Sequence, residues 1–298
     1  MNFKTTYPIL WGGLGNQLFI YAAARAHALR TSSRLLVNVD EFQIDDVYRR
    51  TNRLQFFKAG DCCDRMHARW LTRFFRWRDR KMRHLLYFCV VDKPSRGVIK
   101  FPRHWFGRLW LRGYWQSERY FEEFADIIER DLQISDESIL AEDPVAKAIK
   151  EVQDSVFVHV RSFHDVPGYS GDHIADGFYA KAMRTIVERA ASVPHFFLFS
   201  DKIGYAYARL RPIAESLGVN LTKVVSAEAN SEIVDIERMR LCRHGILANS
   251  SFSWWAAWRS ERANIRTGIS GVFIHQGGQP FANANPHFWP ERWVSIEV

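Results

Sequence analysis

Residues 242–258 place small polar side chains between an apolar stretch and a helical one. Residues 246–248 predict a short strand, which stops at Asn249, Ser250 and Ser251, and aromatic and alanine residues follow at helical spacing. Amides and hydroxyls that converge where a helix begins can bind an anion. The alternative is an ordinary turn in which an Asn or Ser only caps the helix.

A second group of polar residues follows another predicted strand, 156–160. Alternation along that strand places His159 and Arg161 on the same face. The planar guanidinium of an arginine suits a diphosphate because it binds two oxygens at once and stays charged. A histidine can hydrogen-bond a ribose, base or phosphate oxygen. The alternative is a structural ion pair between Arg161 and Asp201.

A glycine-rich turn, residues 12–15, lies between a predicted strand and a predicted helix near the start of the chain. It lacks the third glycine of the dinucleotide fingerprint and the Gly-Lys-Ser/Thr of a P-loop, which disfavours an NAD-dependent enzyme. Glycines such as Gly13 and Gly15 let backbone amides approach a ligand. Asn16 either caps the helix or contacts a substrate hydroxyl or phosphate.

The elements that must position these groups alternate between strand and helix, which predicts an α/β protein with parallel sheets and two Rossmann-like halves. Ligands in such sheets bind at the carboxyl ends of the strands. The predicted strands are 7–11, 34–39, 156–160, 195–199, 221–225 and 246–248. The predicted helices are 16–29, 120–130, 177–191, 202–217 and 233–242. Residues 43–112 are predicted to be irregular, and 137–152 to be the linker between domains 1–150 and 151–298.

The chain of 298 residues carries a net charge of +8, which implies an anionic partner. Residues 65–83 hold seven arginines, and their aromatic residues recur at helical spacing. This pattern predicts an amphipathic helix that contacts an anionic membrane surface or a lipid-linked substrate. The alternative is a packed helix with a solvated face. We find no nucleic-acid-binding module, so a nucleic-acid partner is not expected.

Neither a signal peptide nor a stretch of about 18 apolar residues is evident, so we expect no membrane-spanning helix. The four cysteines show no zinc spacing, and Cys62 and Cys63 are adjacent. We therefore expect a cytoplasmic protein, with peripheral contact at the inner membrane. No Asp-x-Asp motif or carboxylate cluster is present, and Arg161, hydroxyls and helix amides are expected to stabilise a diphosphate leaving group without a metal.

Taken together, these motifs resemble the α-1,2-fucosyltransferases, family 11 of the glycosyltransferases, nearly from end to end. The turn with Asn16 is similar to the family's opening motif Gly-Gly-Leu-Gly-Asn-Gln-Leu-Phe, and His159-Val160-Arg161 is similar to its His-x-Arg-Arg-x-Asp motif. Residues 197–201 resemble a Phe-Ser-Asp-Asp motif. The most specific match is the third motif, 235–255.

The resemblance implies a GT-B-like fold, with two Rossmann-like domains facing a cleft, and no bound metal or other cofactor. It implies inverting transfer of L-fucose from GDP-β-L-fucose to the 2-hydroxyl of a terminal galactose. Residues 1–150 would form the acceptor side, and residues 151–298 would bind the donor. The acceptor is expected to be a lipid-linked repeat unit of a bacterial surface polysaccharide.

The resemblance also implies roles for individual residues. Arg161 would hold the β-phosphate, and His159 would contact the nucleotide or the reacting region. Asp235 would accept from the guanine NH groups, and Asn16 would face the donor–acceptor cleft. The remaining predicted donor contacts are the two glycines of the first turn and the residues around the second turn: Gly13, Gly15, Asn249, Ser250, Ser251 and Phe252.

The general base is not determined by the sequence, and its candidates are His159, Asp172 and His173. The chain departs from the family motifs at Ser162, which replaces the second arginine, and at His164 and Lys202, which replace acids. These departures leave a rival hypothesis open: a non-catalytic protein that binds a nucleotide or a glycan.

Overall fold

The computed structural model describes residues 4–44, 50–61, 64–66, 89–102, 107–162, 174–226, 231–278 and 284–298. The chain divides into two compact units. The first comprises Met1–Ser135 and Asn283–Pro290, and the second comprises Asp136–Ala282 and Glu291–Val298. The predicted boundary after residue 150 is therefore wrong, because the second unit begins at Asp136 and the chain returns to the first unit near its end.

The first unit contains a parallel sheet, whose described strands are ordered β3-β2-β1-β5-β4. The strands are β1 (Lys4–Pro8), β2 (Arg34–Asn38), β3 (Asp64–Met66), β4 (Cys89–Val91) and β5 (Gly107–Arg112). The helices are α1 (Leu14–Thr31), α2 (Glu41–Ile44) and α3 (Ala125–Asp131). Short 3₁₀ helices lie at Leu54–Phe56, Lys58–Gly60, Pro94–Arg96, Glu118–Tyr120 and Glu122–Phe124.

Helix α1 confirms the helix predicted after the glycine turn. Its alanines are buried, as expected for a helix that packs closely on a sheet: Ala22, Ala23, Ala24, Ala26 and Ala28. The prediction of an irregular region at 43–112 is wrong, because β3, β4 and β5 lie in it. The helix predicted at 120–130 consists of 3₁₀ turns followed by α3.

The predicted amphipathic helix at 65–83 is wrong at its start, because Arg65 and Met66 belong to strand β3, which pairs with β2. Residues 67–83 lie outside the described residues, so the rest of that helix stays a prediction. In the described ranges, no helix combines the length and the apolar character needed to span a bilayer.

The second unit contains another parallel sheet, whose described strands are ordered β11-β10-β9-β6-β7-β8. The strands are β6 (Ser155–Val160), β7 (His195–Ser200), β8 (Asn220–Lys223), β9 (His244–Ile246), β10 (Phe273–Gln276) and β11 (Val294–Ile296). The helices are α4 (Pro144–Glu151), α5 (Asp176–Arg189), α6 (Ile203–Leu217), α7 (Ser231–Leu241) and α8 (Ser251–Arg266), with a 3₁₀ helix at Glu137–Leu140. This is the strand order of a Rossmann fold.

The segment 137–152 is not a linker, because α4 belongs to the second unit. Asp143 caps this helix by accepting from the amide of Ala146 at 2.6 Å, and Pro144 occupies the first turn. Pro at that position is a helix-start signal, which the sequence prediction took for a loop. Arg238 of α7 also pairs with Asp143 at 2.5 Å, which ties α4 to the unit.

Helix α8 buries the aromatic residues that follow the polar turn. Trp254, Trp255 and Trp258 are all buried, and their rings contact one another. Trp254 also contacts Trp293, next to strand β11. These contacts show that the three tryptophans of the run 242–258 are core packing, and this packing fixes α8 against the sheet.

Candidate functional site

The second sheet changes direction between β6 and β9. From β6 the chain builds outward to β7 and β8, and it then crosses back to β9 and builds outward on the other side to β10 and β11. Ligands bind at such a switch point, outside the carboxyl ends of the strands. His159 and Arg161 come at the end of β6, and Asn249, Ser250 and Ser251 follow β9, so the sheet brings these two predicted groups to one edge.

Arg161 is held by a carboxylate at this edge. Its Nη1 lies 2.7 Å from Oδ2 of Asp201, which follows the neighbouring strand β7. The amide and the hydroxyl of Ser162 donate to the same carboxylate at 2.9 Å and 2.8 Å. The ion pair foreseen as the structural alternative is therefore present. It orients the guanidinium without excluding a phosphate role, because an arginine has five donors.

The structure describes two of the three positions at which the chain departs from the family motifs. Ser162, at the position of the motif's second arginine, hydrogen-bonds Asp201 and so supports Arg161 indirectly. Lys202 is exposed, and its amide donates to Oγ of Ser200 at 3.0 Å, just before α6. His164 lies outside the described residues.

His159 is almost completely buried beside the ring of Phe252, with 5.5 Å between the ring centroids. Burial lowers the pKa of His159 to about 3, and the positive charge of Arg161 adds to this effect. The imidazole is therefore neutral at physiological pH, and each of its two nitrogens then has a different role, one as donor and one as acceptor.

Ser250 caps helix α8. Its backbone is extended, and its Oγ accepts from the amide of Phe252 at 3.2 Å. Ser253 reinforces the turn by donating to the carbonyls of Ala248 at 3.0 Å and Ser250 at 3.2 Å. The capping interpretation is thus correct. It leaves room for an anion site, because a helix begins with four amides and the cap satisfies one of them.

Three adjacent strands end in buried polar atoms without a hydrogen-bond partner in the described part of the chain. These atoms are Nδ1 of His159 near the end of β6, Oδ1 of Asn249 after β9 and Oε1 of Gln276 at the end of β10. An unpaired buried polar group costs about 1–3 kcal/mol. A ligand or ordered water at this edge would recover that free energy, so we take this edge as the candidate binding site of the second unit.

Gln276 was missed by the sequence analysis. No strand was predicted at 273–276, so the residue had no assigned place at a strand end. The available signal was the apolar run before Gln276 followed by Gly277 and Gly278, which is typical of a strand that ends in a turn.

Asp235 lies on α7 in a buried polar network instead of at a strand end. Its Oδ1 accepts from Oγ of Ser226 at 2.5 Å and from Nη1 of Arg238 at 3.1 Å. Burial raises the pKa of Asp235, although the hydrogen bond from Ser226 opposes the shift. Its contact with guanine stays a prediction, and one carboxylate oxygen is already committed to the protein.

Other residues of the run 242–258 hold the opposite edge of the sheet together. His244 begins β9, its Nδ1 accepts from the amide of Val272 at 3.0 Å, and its Nε2 lies 3.1 Å from Oδ1 of Asp154. Asp154 is fully buried and also pairs with Arg243 at 2.9 Å. The amide and hydroxyl of Ser192 donate to its other oxygen at 2.6 Å and 2.7 Å.

The predicted residues of the first turn lie in the first unit, at the start of α1. Gly12 has φ +78°, and Gly13 caps the helix with its backbone alone. Asn16 is therefore inside the helix, so the interpretation of Asn16 as the cap is wrong. Its Oδ1 accepts from Nε2 of Gln116 at 2.8 Å. Gly15 is buried in the first turn of α1.

Gln17, which follows Asn16 in the glycine-turn motif, has a structural role. Its Nε2 donates to the carbonyls of Gly12 and Thr51, each at 2.9 Å, and its Oε1 accepts from the amide of Arg53 at 2.8 Å. Gln17 thus fastens the glycine turn to the segment after residue 50.

Two candidates for the general base, Asp172 and His173, lie outside the described residues. Across the described ranges, no group of three or more His, Cys, Asp or Glu side chains is arranged to hold a metal ion. The expectation of metal-independent transfer stays a prediction.

The sequence of this chain matches a known protein family. A model described as Glycosyl transferase family 11 matches residues 79–296, which is most of the chain. The protein belongs to glycosyl transferase family 11. The resemblance read from the motifs is thereby confirmed at the level of the family.

Two Escherichia coli proteins are similar to this family 11 chain over most of its length. One, an "Alpha-1,2-colitosyltransferase", is 24% identical over 304 residues, covering 97% of this chain and 97% of that protein. The other, "O-antigen biosynthesis glycosyltransferase WbnK", is 26% identical over 275 residues, covering 85% of this chain and 89% of that protein.

Solved structures of two other transferases share the fold. A mutant of Arabidopsis thaliana FUT1 in complex with GDP has a TM-score of 0.53 at 13% identity, covering 95% of this chain and 72% of that chain. The fucosyltransferase NodZ from Bradyrhizobium has a TM-score of 0.50 at 16% identity, covering 85% and 92%. The predicted α/β, GT-B-like fold class, with a Rossmann-like sheet in each unit, is confirmed.

Proposed function

We propose that this family 11 protein transfers L-fucose from GDP-β-L-fucose to the 2-hydroxyl of a terminal β-galactose, with inversion at the anomeric carbon. Membership of a glycosyltransferase family supports a transfer reaction. The similarity to an alpha-1,2-colitosyltransferase over 97% of the chain supports the 1,2 linkage. The similarity to an O-antigen biosynthesis enzyme supports a surface polysaccharide as the acceptor.

The observation that carries the proposal is the common location of Arg161 and the start of α8. Both lie at the carboxyl edge of the second sheet, at its switch point. Asp201 fixes the guanidinium of Arg161, and Ser250 begins the helix that follows the neighbouring strand β9. A fixed cation and a helix N-terminus at one sheet edge suit a diphosphate. We assign the donor's diphosphate to this edge.

In the proposed reaction, the bond between the anomeric carbon and the diphosphate oxygen breaks, and its electron pair leaves with GDP. The galactose 2-hydroxyl oxygen forms the new bond from the opposite face, and its proton passes to a base. Negative charge develops on the diphosphate as the bond breaks. Arg161 and the amides and hydroxyls of the Ser250–Ser251 turn stabilise that charge, which accelerates transfer because the donors are oriented in advance.

His159 is a poor candidate for the base. A general base works best when its pKa is near the operating pH, whereas the pKa of His159 is about 3. We assign it instead to the donor pocket, as a neutral hydrogen-bonding group beside Phe252. Asp172 and His173 remain the candidates for the base.

A second donor is favoured by the first of the two relatives. Colitose is fucose without its 3-hydroxyl, so an enzyme could discriminate the two sugars through one hydrogen bond. A site built to bind a hydroxyl rejects the analogue that lacks it strongly, whereas a site that does not bind it accepts both. The chain departs from the family motifs at Ser162 and Lys202, so a direct comparison of the two donor sugars is informative.

The test is to incubate the purified protein with GDP-fucose or GDP-colitose and a panel of β- and α-galactosides, and to identify the product linkage by NMR. An α-1,2-linked fucosyl product that forms equally in EDTA supports the proposal. If only a colitosyl product formed, the donor would be GDP-colitose instead of GDP-fucose. GDP binding without any product would instead support the non-catalytic hypothesis.

We further propose that the acceptor is lipid-linked and that the arginine-rich residues 65–83 contact anionic lipid on the cytoplasmic face of the membrane. The supporting observation is the excess of arginine in this segment. Co-sedimentation with vesicles containing anionic lipid, but not with neutral vesicles, is the expected result. Equal binding to both would contradict it.

A further inference from the structure

The carboxyl edge of the first sheet carries an aromatic pair that the proposed donor site does not use. Trp11 follows β1 and Tyr114 follows the neighbouring strand β5. Their rings stack with 4.6 Å between centroids and 17° between planes. Both residues are half-buried. The indole Nε1 of Trp11 has no hydrogen-bond partner in the described part of the protein.

A buried carboxylate fixes the loop that carries Tyr114. Oδ2 of Asp92, at the end of β4, accepts from the amides of Tyr114 at 3.2 Å and Trp115 at 2.9 Å. Gly113 has φ +156°, and a Cβ there would lie 1.9 Å from Cβ of Asp92. No other residue type fits so close to Asp92, so the loop conformation and the position of Tyr114 are determined together.

Polar groups lie next to the aromatic pair. A Cβ on Gly12 would lie 3.1 Å from the ring of Tyr114 and 3.0 Å from the amide nitrogen of Asn16. Asn16 in turn accepts from Gln116, two residues after Tyr114. The glycine turn, the ring of Tyr114 and the side chain of Asn16 therefore lie next to one another, and the buried Gln116 holds the Asn16 amide in place.

This combination suits a sugar ring. One face of a β-galactose is apolar, because several of its C–H bonds point to the same side, and its rim is lined with hydroxyls. Aromatic rings pack against such a face, and amides bind the hydroxyls. The recorded polar side chains next to this pair and its loop include the amides of Asn16 and Gln116 and the carboxylate of Asp92, and the guanidinium of Arg50 approaches the same turn at Gly13.

We propose that Trp11 and Tyr114 form the stacking surface for the acceptor's terminal galactose, with Asn16 as a hydrogen-bonding partner and with Gln116 and Asp92 as positioning residues. This inference rests on the proposed function for its choice of sugar. It assigns the acceptor to named residues, none of which except Asn16 carries a motif signal in the sequence.

The first test compares Tyr114→Leu with Tyr114→Phe. Leucine keeps apolar bulk but removes the ring, whereas phenylalanine keeps the ring. We expect Tyr114→Leu to raise the KM for the galactoside roughly 3- to 10-fold, the size of an aromatic stacking contribution, and Tyr114→Phe to remain near wild type. The KM for GDP-fucose and its slow hydrolysis without acceptor should not change. A shift in the donor KM would assign the pair to the nucleotide and overturn the inference.

A binding measurement separates this inference from the proposed transfer reaction. Titration of methyl β-galactoside into the protein with GDP present, followed by tryptophan fluorescence, should show a change that needs roughly 3- to 10-fold more galactoside in Tyr114→Leu than in the wild type. This result would support the surface even if no transfer were detected. Unchanged galactoside binding in Tyr114→Leu would refute the surface even if wild-type transfer occurred.

The role of Asp92 is tested by a matched pair of variants. Asp92→Asn keeps an oxygen that accepts from the two amides, whereas Asp92→Ala does not. We expect Asp92→Ala to raise the galactoside KM to the same extent as Tyr114→Leu, and Asp92→Asn to restore it. A loss of kcat in Asp92→Asn with an unchanged KM would mean that the carboxylate takes part in the chemistry, and would overturn the positioning role.

Discussion

Residues of the run 242–258 contribute to both edges of the second sheet. The two edges differ in how completely the hydrogen bonds of their polar groups are satisfied. At the amino edge, His244, Asp154 and Ser192 form a closed network of hydrogen bonds. Burial acts to raise the pKa of the Asp154 carboxyl, but the hydrogen bonds from Ser192 and His244 outweigh it, so the pKa is lowered. This network fastens the starts of β6, β7 and β9 to one another.

At the carboxyl edge, the corresponding polar groups are only partly satisfied. Arg161 has its carboxylate, but acceptor atoms of Asn249 and Gln276 are buried without partners in the described ranges. A closed network stabilises a fold, whereas an incomplete one costs stability unless a ligand completes it. The comparison teaches that residues of one sequence motif divide between stability and binding according to which end of the sheet they occupy.

The largest expected effect is on stability, from Asp154→Ala at the amino edge. Loss of the buried carboxylate leaves His244 and Arg243 without their partner, and breaking a buried pair costs about 3–5 kcal/mol. Urea denaturation should show this decrease in the free energy of unfolding. The folded fraction should keep the wild-type KM for the donor.

Should Asp154→Ala fail to fold, Asp154→Asn provides the same test in milder form, because its amide oxygen still accepts from Ser192. A raised donor KM in either variant would mean that the amino edge also affects ligand binding, and the division between the edges would be wrong.

The next effect is on activity, from Arg161→Ala at the carboxyl edge. Removing one preorganised donor to a developing negative charge costs about 10²- to 10³-fold in kcat, and we expect kcat/KM for GDP-fucose to fall at least that far. The melting temperature should change little. Arg243→Ala is the matched control, because it removes the arginine partner of a carboxylate at the other edge and should lower stability with little change in turnover. Near-normal turnover in Arg161→Ala would eliminate the proposed mechanism.

The pH dependence of stability is expected to reflect His159. Its pKa is lowered from about 6.5 in the unfolded chain to about 3 in the folded protein. The unfolded chain therefore binds a proton that the folded protein does not, so stability is full above pH 6.5 and is lost as the pH falls toward 3. The expected slope is about 1.4 kcal/mol per pH unit in that window.

Urea midpoints measured from pH 7 to pH 4.5 would give this slope as the difference between the wild type and His159→Gln, because glutamine does not titrate. Burial also lowers the pKa of His195, His244 and His275, and these three histidines contribute equally to both proteins. An unchanged slope in His159→Gln would show that His159 is already solvated, and that the carboxyl edge is less buried than its geometry indicates.

The smallest effect separates capping from anion binding at Ser250. Ser250→Ala removes the cap and should lower the free energy of unfolding by about 1 kcal/mol. Ser250→Asp keeps the cap, and a negative charge favours a helix N-terminus, so stability should be retained. The same charge should repel a diphosphate and raise the donor KM about tenfold. If Ser250→Asp left the donor KM unchanged, the start of α8 would be a cap and nothing more.

Much of this fold follows from local patterns. The buried strand at 156–160 and the helix after the glycine turn were predicted, and the cap before α8 was stated as the alternative to an anion site, because alternation, alanine spacing and cap residues act over a few positions. The motif residues His159, Arg161, Asn249 and Ser250 were likewise predicted to be at strand ends. The family also follows from the sequence, because its motifs are local strings.

The tertiary structure decided what depends on contacts between distant residues. Strand order places Arg161 beside the turn at Ser250, and it adds Gln276 from a strand that the sequence did not reveal. Asp143 was assigned to a linker because its partner Arg238 is far along the chain. Asp92 likewise holds the loop of Tyr114, whose ring stacks on Trp11, through contacts between residues that are far apart in the sequence. Local sequence determines which residues can form strands, caps and ion pairs, whereas the partners that complete them are determined by packing between elements.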